Sequence, residues 1–385
     1  MNILGLKSYW ALIFISICFV ACGPEEKESK VEELQVQKGL FITSLDTIYV
    51  DEEESSLVGF FFYSNSKMHW ADAVSSQVFA YDEKGKTVKT FLGAGDGPTN
   101  QNGINAVLEF RDEFKILSGF TLSTFDSTFT VISRQQIDWG EKESYDEMLN
   151  NPRADMKGLY EVNWMGRKIN FPIRTFENSE FLAMPISMSH PGLNGYWTTE
   201  YYQEVAFLGL FNSEMKLEKI GGIRSPKYLD YRYVPNFDKA YLETKGDSIL
   251  ASFPIDPKIY VYDLDLKLLG SFGEEGEGLN MNYVTTQTLD EAEDRYASDM
   301  QELGYYDHLF YHKESDLIFR TYLPNGSLGK NSRLQIYKDH ELVADEIVPT
   351  RFRVLGSKDG VFYADGIVDE ENEVLAFFKF TLDEE

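Results

Sequence analysis

Cysteine is scarce in this sequence, and its position limits what it can do. Of 385 residues only Cys18 and Cys22 are cysteine, so the long remainder of the chain has none. That remainder therefore forms no disulfide framework and uses no catalytic thiol. The hydrophobic content of 43% is nevertheless high enough to build a large core, which excludes wholesale disorder.

Positive charge is scarce as well. The chain has 36 Lys and Arg against 63 Asp and Glu, which gives a formal net charge of -27. Such a polyanion is repelled by phosphate backbones, and the sequence contains no cluster of Lys and Arg that offsets this field. Nucleic acid is therefore excluded as a partner.

The motifs of the common enzyme classes are missing. The sequence contains no Gly-x-Ser-x-Gly, no His-Glu-x-x-His, no Walker loop and no calcium-binding loop of alternating acids. The glycine-rich segment 93–97 superficially resembles a phosphate cradle, but Pro98 and a strand-like segment follow it where a helix should begin. The sequence accordingly predicts no cofactor, no metal and no catalytic residue.

The longest apolar run lies at the amino terminus. Lys7 is followed by the run 9–21, which ends directly at Cys22. This pattern predicts a lipoprotein signal peptide over residues 1–21 and acylation of Cys22, with a diacylglycerol on the thiol and a further chain such as palmitate on the amine. The run is short for a transmembrane span, which needs about 20 residues. An uncleaved anchor or an ordinary secretory signal is the alternative.

Residues 22–36 are polar and acidic, which predicts a flexible tether. The acidic start of this segment resembles the export tag with which Bacteroidota lipoproteins reach the outer face of the outer membrane. A solvated spacer is an equal alternative. We therefore expect an outer-membrane lipoprotein of a Gram-negative bacterium, on the periplasmic or the surface-exposed side.

Residues 37–385 contain strand after strand, and no linker divides them, which predicts one domain. Short β-branched or aromatic segments bounded by Gly, Asn, Asp or Pro occur at 47–50, 57–63, 129–132, 205–211, 258–262 and 317–322. Helical patterns occur at 142–150 and 290–304 and predict two short inserted helices. In the second helix the apolar face consists of Ala292, Tyr296, Met300 and Leu303.

A repeat organises the domain. In segments 78–97 and 259–278 a Tyr-Asp pair is followed by a Phe ten residues after the Tyr and a Gly sixteen after it. Each segment predicts a strand, a turn closed by the Asp, a second strand and a glycine-rich exit loop. The copies lie 181 residues apart, which is three blades at about 50 to 60 residues per blade. Weaker copies occur at 209–222 and 334–347. The sequence therefore predicts an all-β protein with a six-bladed β-propeller, and an internally duplicated pair of domains is the alternative.

These features resemble a known family. The leader, the segment 252–263, the loop 95–104 and the strand pair 310–320 are similar to those of Bacteroidota lipoproteins of unknown function with a TolB-like six-bladed β-propeller. The resemblance covers most of the chain after the signal peptide. It implies this fold and a place in the cell envelope, but no catalytic residue, because the family has no established activity.

Two aromatic residues are candidate ligand contacts. Tyr196 and Trp197 lie in a loop-rich segment, 193–202, that contains four large rings. Exposed rings with polar neighbours can stack on sugar faces or anchor a partner protein. Burial between blades is the alternative for both residues.

Arg320 and His190 are the other candidates. Arg320, like Arg174, is flanked by apolar residues and Thr, so it either points into the central channel to hold an anion or is buried beside a carboxylate. His190 lies in an irregular loop as a ligand contact or as a histidine in water. His308 and His312 share one face, but a structural zinc site usually takes four protein ligands, and incidental surface histidines are the alternative.

The sequence as a whole predicts a membrane-anchored propeller that binds a ligand or a protein, or acts as a scaffold, through loops at one mouth of its channel. Its expected partners are the membrane, through the lipid, and a glycan, a peptide or an envelope protein. The alternative is an extracellular or periplasmic hydrolase or lyase acting on glycan or peptide. Convergent carboxylates, or His190 with a shifted pKa, at the channel mouth favour that alternative.

Overall fold

Six antiparallel sheets follow one another along the chain, and each has four strands in its main path. The computed structural model describes residues 39–51 and 54–384. The predicted signal peptide, the lipid attachment at Cys22 and the tether lie outside these described residues. The sheets surround a central channel that strands of all six line, so the predicted six-bladed β-propeller is confirmed.

The amino-terminal strand is β1 (Leu40–Tyr49). Blade 1 contains β2 (Gly59–Ser64), β3 (Lys67–Asp72), β4 (Gln77–Tyr81) and β5 (Thr87–Leu92). Blade 2 contains β6 (Ala106–Phe110), β7 (Glu113–Ser118), β8 (Thr121–Phe125) and β9 (Val131–Gln136). Blade 3 contains β10 (Tyr160–Val162), β11 (Arg174–Thr175), β12 (Leu182–Met188), β13 (Ala206–Phe211) and β14 (Leu217–Ile223).

The second half of the chain repeats this arrangement. Blade 4 contains β15 (Tyr241–Lys245), β16 (Ser248–Ser252), β17 (Ile259–Tyr262) and β18 (Leu268–Phe272). Blade 5 contains β19 (Tyr305–His312), β20 (Leu317–Leu323), β21 (Asn331–Lys338) and β22 (Glu341–Pro349). Blade 6 contains β23 (Val354–Lys358), β24 (Val361–Ala364), β25 (Val368–Asp369) and β26 (Val374–Glu384), with β1 as its outermost strand.

The first strand of each blade lines the channel, and the later strands follow outward. In blade 3 this place is shared by β10, β11 and the irregular segment between them. We call the end of the channel where the first strands begin the mouth, and the other end the opposite face.

Aromatic rings fill the seams between blades. Phe60, Phe61 and Phe62 of β2 are all buried, because neighbouring blades cover both faces of the sheet. Phe61 meets Trp70 edge-on at 4.9 Å and Phe377 of blade 6 at 6.0 Å between ring centroids. Each ring that such a seam buries contributes about 1.5 to 3 kcal/mol. Burial on two faces explains why the strands contain continuous apolar runs instead of alternating patterns.

Strands from the two ends of the described chain close the ring. β1 pairs antiparallel with β26, from Leu40 opposite Glu384 to Tyr49 opposite Ala376. The first described strand thus completes the sheet of blade 6, and this pairing closes the ring. Leu40 and Glu384 line a cavity with the turn at Gly360, which connects β23 and β24 on the opposite face. The described chain therefore begins on the opposite face.

The sequence repeat corresponds to the outer hairpins of blades 1 and 4, three blades apart as predicted. In blade 1, Asp82 Oδ1 accepts the backbone N–H groups of Lys84 and Lys86 at 2.9 and 3.0 Å. Asp263 closes the blade 4 turn with two equivalent bonds of 2.9 Å. Asn212 does the same in blade 3, which confirms the weaker copy, and Asp126 does so in blade 2, where sequence analysis found no copy.

Four short α-helices are inserted between strands: α1 (Tyr145–Asn150), α2 (Thr199–Glu204), α3 (Lys227–Tyr231) and α4 (Leu289–Glu302). α1 and α4 are the two predicted helices. Thr288 caps the amino terminus of α4, because its side chain accepts the backbone N–H of Glu291 at 3.2 Å. Within residues 39–51 and 54–384, no helix is long and apolar enough to cross a bilayer.

Candidate functional site

A cavity of about 330 Å³ lies at the mouth of the channel. Its floor includes Tyr241 and Asp307, near the start of the first strands of blades 4 and 5, and Arg353, which directly precedes β23. Residues 165–169 of blade 3 and the helix α4 contribute to its walls. We call this space the mouth cavity.

The lining of the mouth cavity is cationic, in contrast to the rest of the chain. Its five basic side chains are Arg167, Lys168, Lys239, Arg351 and Arg353. Asp307 is the one acidic residue among the described lining residues. Because the whole chain carries a net charge of -27, this excess of positive charge in a concave space favours an anionic ligand.

Three of these cations have carboxylate partners. Arg353 donates to Asp307 at 2.6 Å and to Asp365 at 3.2 Å, and Arg351 donates to the same oxygen of Asp365 at 3.2 Å. Burial by itself raises the pKa of Asp307, but the charge and hydrogen bond of Arg353 outweigh it and lower that pKa. Lys168 forms an ion pair with Glu370.

Arg167 and Lys239 are the two cations of the lining that form no ion pair among the described residues. Arg167 is exposed to solvent, and Lys239 is half-buried. Lys239 Nζ lies 5.9 Å from the ring centroid of Tyr296. These two side chains are therefore available to neutralise a ligand carboxylate, phosphate or sulfate.

The floor of the mouth cavity is a fixed polar network. The Tyr241 hydroxyl donates to Asp307 at 3.2 Å. Next to it, His308 is paired through Nε2 with the Val354 carbonyl at 2.8 Å. Burial, together with the nearby charge of Arg353, lowers the pKa of His308 to about 3, so the imidazole is neutral near pH 7. As a neutral donor its Nε2–H reaches the carbonyl, which fixes the ring.

A second cavity of about 340 Å³, in the central channel, shares Tyr241 with the mouth cavity. Arg174 lines this channel, as predicted, and its Nε donates to Glu243 at 3.1 Å. Burial raises the pKa of Glu243, although the charge of Arg174 opposes this shift. The alternative of a carboxylate partner therefore also holds for Arg174.

Arg320 does not lie in the channel, which corrects one of the two expectations for this residue. Its side chain is 0% exposed, in the seam between blades 4 and 5. It donates to the carbonyls of Pro257 at 2.6 Å and Glu274 at 3.0 Å, and its guanidinium lies 4.0 Å from the Tyr306 ring centroid. The other expectation is confirmed for the burial of Arg320 but wrong for its partner, since carbonyls, an amide and rings surround the charge instead of a carboxylate. Arg320 is on the second strand of its blade, whereas first strands line the channel.

His190 is a structural cap in this fold. Its Nδ1 accepts the Gly192 N–H at 3.0 Å, and its Nε2 is paired with the Leu149 carbonyl at 3.1 Å. These bonds start the short 3₁₀ turn Pro191–Leu193 and occupy both ring nitrogens. His190 is not among the residues that line the mouth cavity.

The aromatic segment divides into buried and accessible rings. Tyr201 and Tyr202 are buried on α2. Trp197 is 44% exposed and lies 6.0 Å from the half-buried Tyr196 ring. Burial raises the pKa of Tyr196, and the charges of Glu293 on α4 and Asp238 add to this shift. Tyr196 therefore lies within electrostatic range of Glu293 on α4, and neither Tyr196 nor Trp197 is among the residues that line the mouth cavity.

His308 and His312 are not brought together as a metal site. They lie at different positions along β19, and His312 contacts Ser315 and Ser357 beside the opposite face. Among the described residues, no group of three or more His, Cys, Asp or Glu side chains is placed to hold a metal ion.

The residues of the mouth cavity were missed by sequence analysis. Its free cations come from a loop of blade 3 and from the segment before β15, and its exposed ring comes from α4. No motif joins these residues in the sequence, although Arg167 adjoins Lys168. One weak indication of the site was present in the sequence, at Tyr296. A large ring on the apolar face of a helix is expected to be covered by protein or by a ligand.

Comparison with known proteins places this architecture among solved propellers. No protein-family model and no curated protein matches the sequence. A member of the DUF4221 family from Bacteroides vulgatus ATCC 8482 is similar over 91% of this chain and 99% of its own, with 12% identity and a TM-score of 0.60. A protein of Bacteroides fragilis NCTC 9343, predicted to be exported, is similar over 91% of this chain and 97% of its own, with 12% identity and a TM-score of 0.52. At this identity the likenesses establish a shared fold alone.

Proposed function

We propose that this protein is an exported, lipid-anchored β-propeller that binds a small anionic ligand in its mouth cavity. The observation that carries the proposal is the pair of cations Arg167 and Lys239, which have no ion-pair partner within residues 39–51 and 54–384 and lie beside a concave space in a strongly acidic chain. An anion placed there gains charge-assisted hydrogen bonds without displacing a carboxylate of the protein.

The proposed location in the cell envelope is supported by the predicted signal peptide and by one protein of similar structure. The run that ends at Cys22 supports cleavage and acylation, and the acidic residues after it support export to the outer membrane. The Bacteroides fragilis protein of the same fold is itself predicted to be exported. The anchor would hold the propeller at the cell envelope, where glycans, peptides and envelope proteins are available as ligands or partners.

Binding accounts for the mouth cavity better than hydrolysis does. Glycan hydrolysis needs a carboxylic acid that holds a proton near neutral pH and a second carboxylate across the bond. Asp307 has a lowered pKa and two tight partners, Arg353 and Tyr241, so it stays ionised and occupied. His190, the other candidate for acid–base chemistry, is held by two backbone groups outside the cavity.

A thermal-shift experiment tests the proposal. Full-length protein in detergent is titrated with citrate, glutarate, inorganic phosphate and digalacturonate, and with neutral sugars for comparison. A ligand that binds only the folded state raises the midpoint by an amount that saturates. We expect saturable shifts with anions and their loss in the double variant Arg167→Gln/Lys239→Gln.

The matched control is Lys84→Gln/Lys86→Gln, which removes the same charge from an exposed turn of blade 1 on the opposite face. It should respond to anions as the unmodified protein does. Equal shifts in both double variants would show that anions act on overall charge and would refute a site at the mouth.

A further inference from the structure

The mouth cavity joins two chemically different sides. On one side Arg351 donates to the backbone carbonyl of Lys168 at 3.1 Å, which holds two cations together. On the other side Phe237 lies 6.0 Å from the Tyr305 ring centroid, below α4 with its Tyr296. A ligand that fills the cavity therefore meets positive charge and ring faces at once.

Tyr296 is the most accessible of these rings. It is 48% exposed, whereas Ala292 on the same face of α4 is buried. The face of an aromatic ring carries partial negative charge, so it attracts the partly positive C–H hydrogens on one face of a pyranose. Lys239 Nζ lies over this ring, 5.9 Å from its centroid, so a sugar that stacks on Tyr296 has an ammonium within reach of its charged group.

The side chain of Asn236 also suits a hydroxylated ligand, because its amide oxygen can accept a hydrogen bond. Asn236 lines the cavity, and its amide nitrogen donates to the Ala292 carbonyl at 2.8 Å and to Asp299 at 3.0 Å. Both amide hydrogens are therefore used within the protein, and the amide oxygen remains an acceptor. A sugar hydroxyl can donate to this oxygen, whereas an ionised phosphate or carboxylate oxygen cannot.

Two further exposed rings belong to the segments of blade 3. Trp164 is 36% exposed and directly precedes Met165, which lines the cavity. Trp197, also partly exposed, lies beside Tyr196 near α4. Separate stacking positions of this kind suit a ligand longer than one sugar ring.

From these juxtapositions we infer that the anionic ligand is an acidic saccharide, a glycan in which a uronic acid stacks on Tyr296 and directs its carboxylate to Lys239 and Arg167. A pyranose ring that bears a carboxylate supplies both requirements in one residue. This inference rests on the proposed function, and it names the ligand class for the same cavity. An anion without a ring face would use the cations and leave Tyr296 without a role.

Calorimetric titration of the full-length protein in detergent tests the inference. The probes are digalacturonate and a hyaluronan tetrasaccharide, with the methyl ester of digalacturonate as the matched neutral sugar. Glutarate, inorganic phosphate and AMP are the anions that are not saccharides. We expect an acidic saccharide to bind most tightly and esterification to weaken binding by about tenfold or more, since charge-assisted hydrogen bonds are lost.

Variants separate the ring from the charge. Tyr296→Ala should weaken acidic-saccharide binding by about 3- to 10-fold and leave glutarate binding unchanged, because only a sugar uses the ring face. Tyr296→Phe, which keeps the ring, should restore affinity. Tyr49→Ala removes an exposed ring from the outermost strand of blade 6 and serves as the control.

The outcomes distinguish this inference from the proposed function. If AMP, phosphate or glutarate binds at least as tightly as both saccharides and needs Arg167 and Lys239, the saccharide is refuted and the anion site stands. The same holds if Tyr296→Ala leaves saccharide affinity unchanged. If no anion binds, both proposals are wrong.

Discussion

Replacing Arg320 with Met should strongly destabilise the propeller. In the folded chain this buried guanidinium bridges two carbonyls of blade 4, at Pro257 and Glu274, from its position in blade 5. After the substitution the Glu274 carbonyl keeps a weak bond from Gln335 at 3.3 Å, whereas the Pro257 carbonyl loses the bond that Arg320 donates at 2.6 Å. A buried polar group left unsatisfied costs about 1 to 3 kcal/mol.

The expected loss follows from these contacts. The substitution leaves one carbonyl without its donor, weakens the hydrogen bonding of a second and removes a contact with the Tyr306 ring. Removing the buried charge also removes its desolvation penalty, so we expect a net loss of about 2 to 4 kcal/mol in the free energy of unfolding. Arg320→Lys should lose at least as much, because one ammonium cannot reproduce the planar fork that reaches both carbonyls.

Urea denaturation of the full-length chain, followed by circular dichroism, measures both losses. The control is Arg134→Met, because Arg134 also donates to exit-loop carbonyls, those of Gly97 and Asn100, but is exposed. Water replaces its bonds, so the control should lose less than about 1 kcal/mol. A loss that small for Arg320→Met, or normal stability for Arg320→Lys, would refute the reasoning.

Three further predictions concern other parts of the chain. The pKa of His308 falls from 6.5 in the unfolded chain to about 3 in the fold; the unfolded chain therefore binds the extra proton first, and stability declines as pH falls from 6.5 towards 3. Between these pH values His308 contributes up to about 1.4 kcal/mol per pH unit to the decline in the free energy of unfolding. The variant His308→Gln lacks this contribution, so its denaturation midpoints at pH 7, 5 and 4 should differ less from one another. Phe272 is 9% exposed and stacks on His340 of blade 5 at 4.4 Å. Phe272→Ala should cost about 3 to 5 kcal/mol in urea denaturation, and a loss below about 1 kcal/mol would contradict packing in this seam. Cys22→Ala should abolish incorporation of a labelled fatty acid, and label that persists in this variant would remove the proposed anchor.

The fold was predictable because its information is local. Asp82 and Asp263 close their turns through backbone groups two and four residues away, so the motif is visible in any copy that keeps the acid. The spacing between copies then gives the number of blades. The fifth blade turns instead at Asp339 and His340, both with positive φ, and its copy is correspondingly weak in the sequence.

The candidate site was not predictable because it depends on which strand of a blade a residue occupies. Arg320 and Arg174 have similar neighbours in the sequence, yet one is on the second strand and faces a seam, while the other lies on a first strand and faces the channel. Arg167 and Lys239 line one cavity only because the ring brings blades 3 and 4 together at the mouth. No local sequence pattern predicts that proximity.

The place where the described chain enters the ring determines how the molecule would be displayed. β1 begins at Leu40 on the opposite face. If Cys22 carries lipid, the anchor is joined to the propeller at Leu40, on the side remote from the mouth. The mouth cavity, with its cations, would then lie on the face of the propeller that does not carry the anchor.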